Sequence, residues 1–149
     1  MDTGDSSWIV GLMRHNYEAV GFIPATTIED RYVRRGQVIF QTNENGKRVG
    51  YLLHGPIEQG KLCHVAQHCI EMDKRNRGYG QLAVQELIGR CNRYSAAGIH
   101  LRVAIDLQAV EFWKSCGFTT DALVPGGESR IRMIAIMRMN FDLPLFFVR

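Results

Sequence analysis

The apolar positions of this chain change period along its length, first helical, then alternating, then helical again. Ser6 or Ser7 is placed to cap a first helix that runs to about Ala19 and stops at Gly21. Pro24 follows, and a second helix is predicted from about Thr27 to Arg35, ended by Gly36. Val38 to Thr42 and Arg48 to Leu53 read as strands, with Asn43-Glu44-Asn45-Gly46 between them as a tight-hairpin signal. Lys61 to Met72 reads as one long strand. Gln81 to Ser95 is amphipathic, with Leu82, Leu87, Ile88 and Cys91 towards a core. A strand over 99–105, a short helix over 107–115, and strands over 118–124 and 130–139 complete the pattern, with Pro125-Gly126-Gly127 as the last loop.

The resulting order is α-α-β-β-β-α-β-α-β-β, an α/β (α+β) arrangement with hairpins first and a βαβ crossover after them. No repeat, low-complexity tract or linker interrupts it, and 149 residues predict a single domain over 1–149.

The crossover carries the most informative stretch, Arg75-Asn76-Arg77-Gly78-Tyr79-Gly80, between the long strand and the amphipathic helix. The first N–H groups of a helix have no intrahelical partner, and the helix dipole adds partial positive charge there. Glycines let a backbone come close to an anion. Strand, glycine turn and helix start therefore predict a diphosphate-binding turn. It is not a Walker loop, which needs Gly-Lys-Ser/Thr, nor a dinucleotide fingerprint, which needs a third glycine where Ala83 stands.

What remains, Arg/Gln-x-x-Gly-x-Gly/Ala, resembles the coenzyme A pyrophosphate loop of the GNAT acyltransferases. A second stretch strengthens the likeness. Asp106-Leu107-Gln108-Ala109-Val110-Glu111-Phe112-Trp113-Lys114-Ser115-Cys116-Gly117-Phe118 resembles the family's Asn-x-x-Ala-x-x-x-Tyr-x-x-x-Gly-Phe, at the expected distance downstream. By itself this stretch reads as a short helix, with Asp106 as N-cap and Gly117 as its stop. The resemblance covers about 36–118. It implies the GNAT fold, a mixed, mostly antiparallel twisted sheet with helices on both faces, and an N-acyltransferase that uses acetyl-CoA or CoA as cofactor. It further implies that Ile70, Glu71 and Met72 pair with the pantetheine arm through their backbone. The pyrophosphate would lie on the N–H groups of Arg75, Asn76, Arg77, Gly78, Tyr79 and Gly80, with Arg75 and Arg77 as charged donors. Trp113 would form a pantetheine wall or pack in the core.

Composition narrows the setting. Hydrophobic residues make up 46% and charged ones 22%, with no apolar run near the roughly 20 residues that span a bilayer. The acidic start, Met1 to Asp5, is unlike a secretory signal, and the four cysteines show no framework spacing, so a cytoplasmic protein with reduced thiols is expected. Cys63, His64, His68 and Cys69 are dense, but on a strand they divide between two faces, so no metal site is predicted. The net charge of +3 does not by itself point to nucleic acid. Two arginine groups, Arg31, Arg34 and Arg35, and Arg130, Arg132 and Arg138, are not used by the coenzyme A reading. The apolar tail, Phe141-Asp142-Leu143-Pro144-Leu145-Phe146-Phe147, suits either docking on its own domain or forming a homodimer.

Acyl transfer to an amine needs a base, a donor for the carbonyl oxygen, and a proton for the departing thiolate. Glu71, Asp106 and His54 are the catalytic candidates, with Asp73, His64 and His68 as further bases and Gln67 as a polar residue that could orient substrate. The chain departs from the family pattern where it matters. Trp113 stands at the tyrosine position, and an indole N–H has no usable acidity; Asp106 stands at the asparagine position. These departures, together with Tyr51-Leu52-Leu53-His54-Gly55-Pro56 and the Pro-Leu-Phe ending, are similar to a phage and prophage branch that includes relatives of the Mom DNA-modification protein. That likeness implies, as an alternative, modification of the exocyclic amine of adenine in the host cytoplasm, with Arg31, Arg34, Arg35 and Arg130 on DNA phosphates. A non-catalytic CoA-binding module is the third reading.

Overall fold

The computed structural model describes residues 4–16, 20–105, 108–126 and 132–141. Asp106, Arg130 and the tail beyond Phe141 lie outside them, and so do the readings that rest on those residues. The elements are helix α1 (Gly4–Arg14), a turn of helix α2 (Ala25–Thr27) running into a wide π-helical segment (Ile28–Val33), and strands β1 (Val38–Thr42), β2 (Arg48–His54) and β3 (Leu62–Ile70). A 3-10 turn (Met72–Lys74) leads to α3 (Tyr79–Arg93). Then come β4 (Gly98–Ala104), α4 (Ala109–Ser115), β5 (Thr119–Gly126) and β6 (Arg132–Asn140). The strand order is β1-β2-β3-β4-β6-β5. Contacts divide the chain into two compact units, 1–56 with 64–89, and 57–63 with 90–149, so β3 begins in the second unit and runs through the first.

In the first unit β1, β2 and β3 form an antiparallel meander. Register explains its core. Val38 stands beside Leu53 and Leu53 beside Gln67, while Phe40 stands beside Tyr51 and Tyr51 beside Cys69, so these rows share one face. Tyr51, Leu53 and Cys69 of that face pack with Ile9, Val10 and Met13 of α1 and with Ile28. The buried phenol of Tyr51 donates to Gln67 Oε1 at 3.0 Å. Gln67 Nε2 donates in turn to the carbonyls of Val20 and Gly21, at 3.2 and 3.1 Å. Gln67, read from the sequence as a substrate-orienting residue, is thus committed to holding the segment after α1.

Several predicted boundaries move, each for a local reason. β3 ends at Ile70, opposite Gly50, and Met72 turns away in a 3-10 turn closed by Lys74 N–H on Glu71 O at 2.9 Å. The second helix is not a regular α-helix through Arg35. Its bonds widen to five residues, as in Arg34 N–H to Glu29 O at 2.9 Å. In α3 the buried stripe is Ala83, Val84, Leu87 and Cys91, whereas Leu82 is 54% exposed. At 3.6 residues per turn, Leu82 lies roughly 140° round the helix from Leu87.

In the second unit β6 lies between β4 and β5, antiparallel to both. Ala135 and Met137, two apart on β6, are buried with Ile99, Leu101 and Val103 of β4. β5 is an exposed edge, where a register shift at Thr120/Ala122 and the Asp121–Arg138 ion pair at 3.0 Å blunt further strand pairing. The helix α4 begins at Ala109 with Gln108 as N-cap, later than the predicted start at 107.

Candidate functional site

The site is built where β3 hands over to α3. The N–H of Glu71 still donates to Val49 O at 2.8 Å, so sheet pairing carries one residue past the strand. The backbone is extended at Arg75 (φ −71°, ψ 160°), left-handed at Asn76 (φ 62°), and at φ 88° at Gly78. Asparagine is among the few side chains that accept the left-handed region. A Cβ at Gly78 would meet nothing within 4 Å, so conformation rather than space calls for glycine there. The first i→i−4 bond of the helix is Leu82 N–H to Gly78 O at 3.1 Å. The N–H groups of Tyr79, Gly80 and Gln81 precede it in a helix of 15 residues whose first turn has no acidic side chain. This turn suits a diphosphate, and Arg77 is exposed beside it. The phenol of Tyr79 donates to Glu44 Oε2 at 3.3 Å, which ties the helix start to the β1–β2 hairpin.

Arg75 has two partners within the first unit. Its Nε donates to Ile70 O at 3.0 Å and its Nη2 to Asn16 Oδ1 at 2.6 Å. Lys74 pairs with Asp73 at 3.4 Å.

Next to the turn, an open groove of about 650 Å³ is lined by Trp8, Gly11, Leu12, His15, Asn16, Glu71, Met72 and Asp73. Glu71 and Asp73 bring two carboxylates to it, and among the described residues no lysine or arginine lines it. Met72, predicted to end the long strand, instead opens the 3-10 turn and has a 72% exposed side chain. His15 and Asn16 were missed. The signal was the spacing of Trp8, Leu12 and His15 at i, i+4 and i+7, which puts them on one helix face.

The other catalytic candidates are dispersed. His54 is buried and its Nδ1 donates to Gly55 O at 2.7 Å. It pairs with Val65, six residues before Glu71, which puts it about 20 Å along the strand from Glu71. The structure does not bring the two together. His68 projects from the face of β3 opposite Cys69, and burial pushes it down to about 4. Asp106 is outside the described residues.

In the second unit Trp113 is 5% exposed, edge-to-face with Phe112 and with Phe118, both at 5.1 Å between ring centres. The helix that holds it ends in a Schellman motif. Phe118 N–H donates to Trp113 O and Gly117 N–H to Lys114 O, both at 3.0 Å, with Gly117 at φ 99°. The Trp113–Phe118 contact is the hydrophobic pair that accompanies this motif, so the Gly-Phe ending has a structural reason of its own.

Around the π-helical segment, Arg34 faces Glu29 at 3.8 Å and Asp30 at 3.6 Å, while Arg31 and Arg35 are exposed. No helix among the described residues is long and apolar enough to cross a membrane.

The sequence model of the acetyltransferase (GNAT) family matches residues 16–118, which includes both the turn and the Gly-Phe ending. No curated sequence matches closely enough to count as a relative. Among solved structures, Ard1 from Thermoplasma volcanium is similar at a TM-score of 0.78 and 16% identity, covering 95% of each chain. Rv2747 from Mycobacterium tuberculosis, in complex with CoA and NLQ, is similar at 0.76 and 13%, covering 95% of this chain and 96% of that one. The ribosomal-protein-S18-alanine N-acetyltransferase from Escherichia coli is similar at 0.74 and 16%, covering 100% and 96%. At these identities the likeness is one of fold, the α/β GNAT fold with a mixed six-strand sheet.

Proposed function

This chain belongs to the acetyltransferase (GNAT) family and is a GNAT-type N-acetyltransferase dependent on acetyl-CoA, and we propose that the turn 76–80 holds its cofactor's diphosphate while the groove beside Glu71 takes the acceptor amine. The observation that carries this reading is a left-handed turn opening α3 with its first N–H groups unspent and no acid among them. On this reading 1–149 acts as one acyltransferase domain, and four cysteines held outside any disulfide suit a reducing cytoplasm.

Bound acetyl-CoA supplies a thioester whose carbonyl carbon takes the amine, so that a C–N bond forms and the C–S bond breaks. The backbone N–H groups of Asn76 to Gly80, with Arg77, hold the diphosphate, and the carbonyl side of Ile70 aligns the pantetheine arm. The Glu71 carboxylate takes the proton from the acceptor ammonium, with Asp73 and His15 beside it in the groove. Trp113 gives no proton to the thiolate, since indole is not an acid and this ring is shut in the core. Water serves instead, because a thiolate is a far better leaving group than an alkoxide or amide and can depart before it is protonated.

The Mom-like alternative has less to rest on. Arg34 already faces two carboxylates, and nothing in the comparisons points to DNA or phage. Calorimetry with CoA tests the cofactor half of the proposal. Mass spectrometry of metabolites and of DNA after expression, against an empty vector, tests the acceptor half. New acetylated amines with unmodified DNA would support it, and modified adenine would restore the alternative.

A further inference from the structure

A charged donor at the head of a phosphate turn would be expected to point at the phosphate, and Arg75 does not. Its Nε and Nη2 are spent on Ile70 O at 3.0 Å and Asn16 Oδ1 at 2.6 Å. Asn16 passes the contact on, donating Nδ2 to Leu12 O at 2.9 Å in the last turn of α1. Leu12 and Asn16 both line the groove, and Ile70 is the last residue of β3. One guanidinium therefore joins the strand end, the head of the turn and the groove wall. The 2.6 Å contact is a short bond from a charged donor, and a positive charge suits the carbonyl end of α1. The thiol of Cys69 also borders this cation; burial raises it to about 11 and Arg75 works against that rise. With Nε and Nη2 engaged on separate partners, that edge of the fork is not available to grip a phosphate in parallel. A carbonyl oxygen has two lone pairs, so Ile70 O can serve Arg75 and still meet a pantetheine amide.

We propose that Arg75 is a positioning residue that couples the cofactor turn to the acceptor groove through Asn16, and not a phosphate ligand; this rests on the turn and groove having the roles given above. Filling the turn then firms the groove wall, and by linkage an occupied groove firms the turn.

The test uses CoA as probe, with calorimetry over a range of NaCl and hydrogen exchange at the amides of His15 and Asn16. These amides donate to Leu12 O and Met13 O at 3.3 and 2.9 Å. In the wild type, CoA should slow exchange at both, by about threefold or more. Arg75→Ala and Asn16→Leu should each abolish that slowing, and the double variant should do no more than either alone. Their CoA affinities should stay within about threefold of wild type, whereas Arg77→Ala, removing a charged donor, should weaken CoA about tenfold and flatten the salt dependence. Arg75→Lys keeps the charge without the fork and should behave like Arg75→Ala. If Arg75→Ala instead weakened CoA as Arg77→Ala does while Asn16→Leu kept the slowing, Arg75 would be a phosphate ligand and the inference would be overturned. Failure of the wild type to bind CoA at all would bring down the reading of the turn, and this inference with it.

Discussion

Gly78 and Gly117 do opposite things at opposite ends of two helices. Both sit at positive φ, 88° and 99°. Gly78 precedes α3 and leaves the first-turn donors unspent. Gly117 follows α4 and sets up two bonds that satisfy the carbonyls of Trp113 and Lys114, with Trp113 and Phe118 sealing the end. The first turn is conformationally costly and chemically open, while the second is costly and closed. A left-handed glycine therefore marks a ligand site only where the hydrogen-bonding capacity beside it is left over.

The sharpest way to break this comparison is at the closed end. Trp113→Ala should cost about 3–5 kcal/mol of stability, read from urea unfolding, because it empties a ring-lined core. A loss below about 1 kcal/mol would mean that Trp113 does not hold the second unit together. At the open end, Gly78→Asp should weaken CoA by on the order of a hundredfold by calorimetry, combining left-handed strain with a carboxylate in an anion site. Unchanged affinity would remove the basis for the diphosphate turn.

β3, which delivers the open turn, should also be sensitive to acid. The Nε2 atom of His68 is shut away from solvent although the residue as a whole is only half-buried. Its pKa falls from 6.5 unfolded to about 4 folded, by desolvation. The unfolded chain then binds more protons between those values, so stability is full above pH 6.5 and falls as pH drops towards 4. The loss should be roughly 2 kcal/mol at pH 5. His68→Gln should flatten this slope in unfolding curves at pH 5 and 7.5; an equally steep slope would place the acid sensitivity elsewhere.

Smaller effects separate the two glycines further. Gly117→Ala should cost about 1–2 kcal/mol, or a few degrees of Tm, with CoA affinity unchanged. The added Cβ would meet only the Met139 methyl, at 3.3 Å. The smallest change is expected from Trp113→Phe and Trp113→Tyr, both of which should keep turnover within about threefold, since bulk and not a polar group is at work. An active Trp113→Tyr beside a folded but inactive Trp113→Phe would require a polar role there.

Much of this was legible before the fold. Element order followed from periodicity, because side-chain spacing of two or 3.6 is a local property that packing reinforces. The turn 75–80 and the Gly117-Phe118 ending were legible because their hydrogen bonds close within a few residues. The buried stripe of α3 was misjudged at Leu82, because a helix with apolar residues on several sides does not announce which one its neighbours cover.

Side-chain partners from distant parts of the chain were not legible. Asn16 meets Arg75 across 59 residues and Gln67 reaches Val20 across 47. These contacts give Arg75 two partners within the first unit and tie Gln67 to the segment after α1. Residue type states what a group can donate or accept; only the packed chain decides which partner takes it. The sequence alone determined the family, the element order and the two helix ends, because each is written in residues close together. The tertiary structure alone decided that Glu71 shares a groove with α1, that His54 stands about 20 Å along the strand from it, and that Arg75 meets Ile70 O and Asn16.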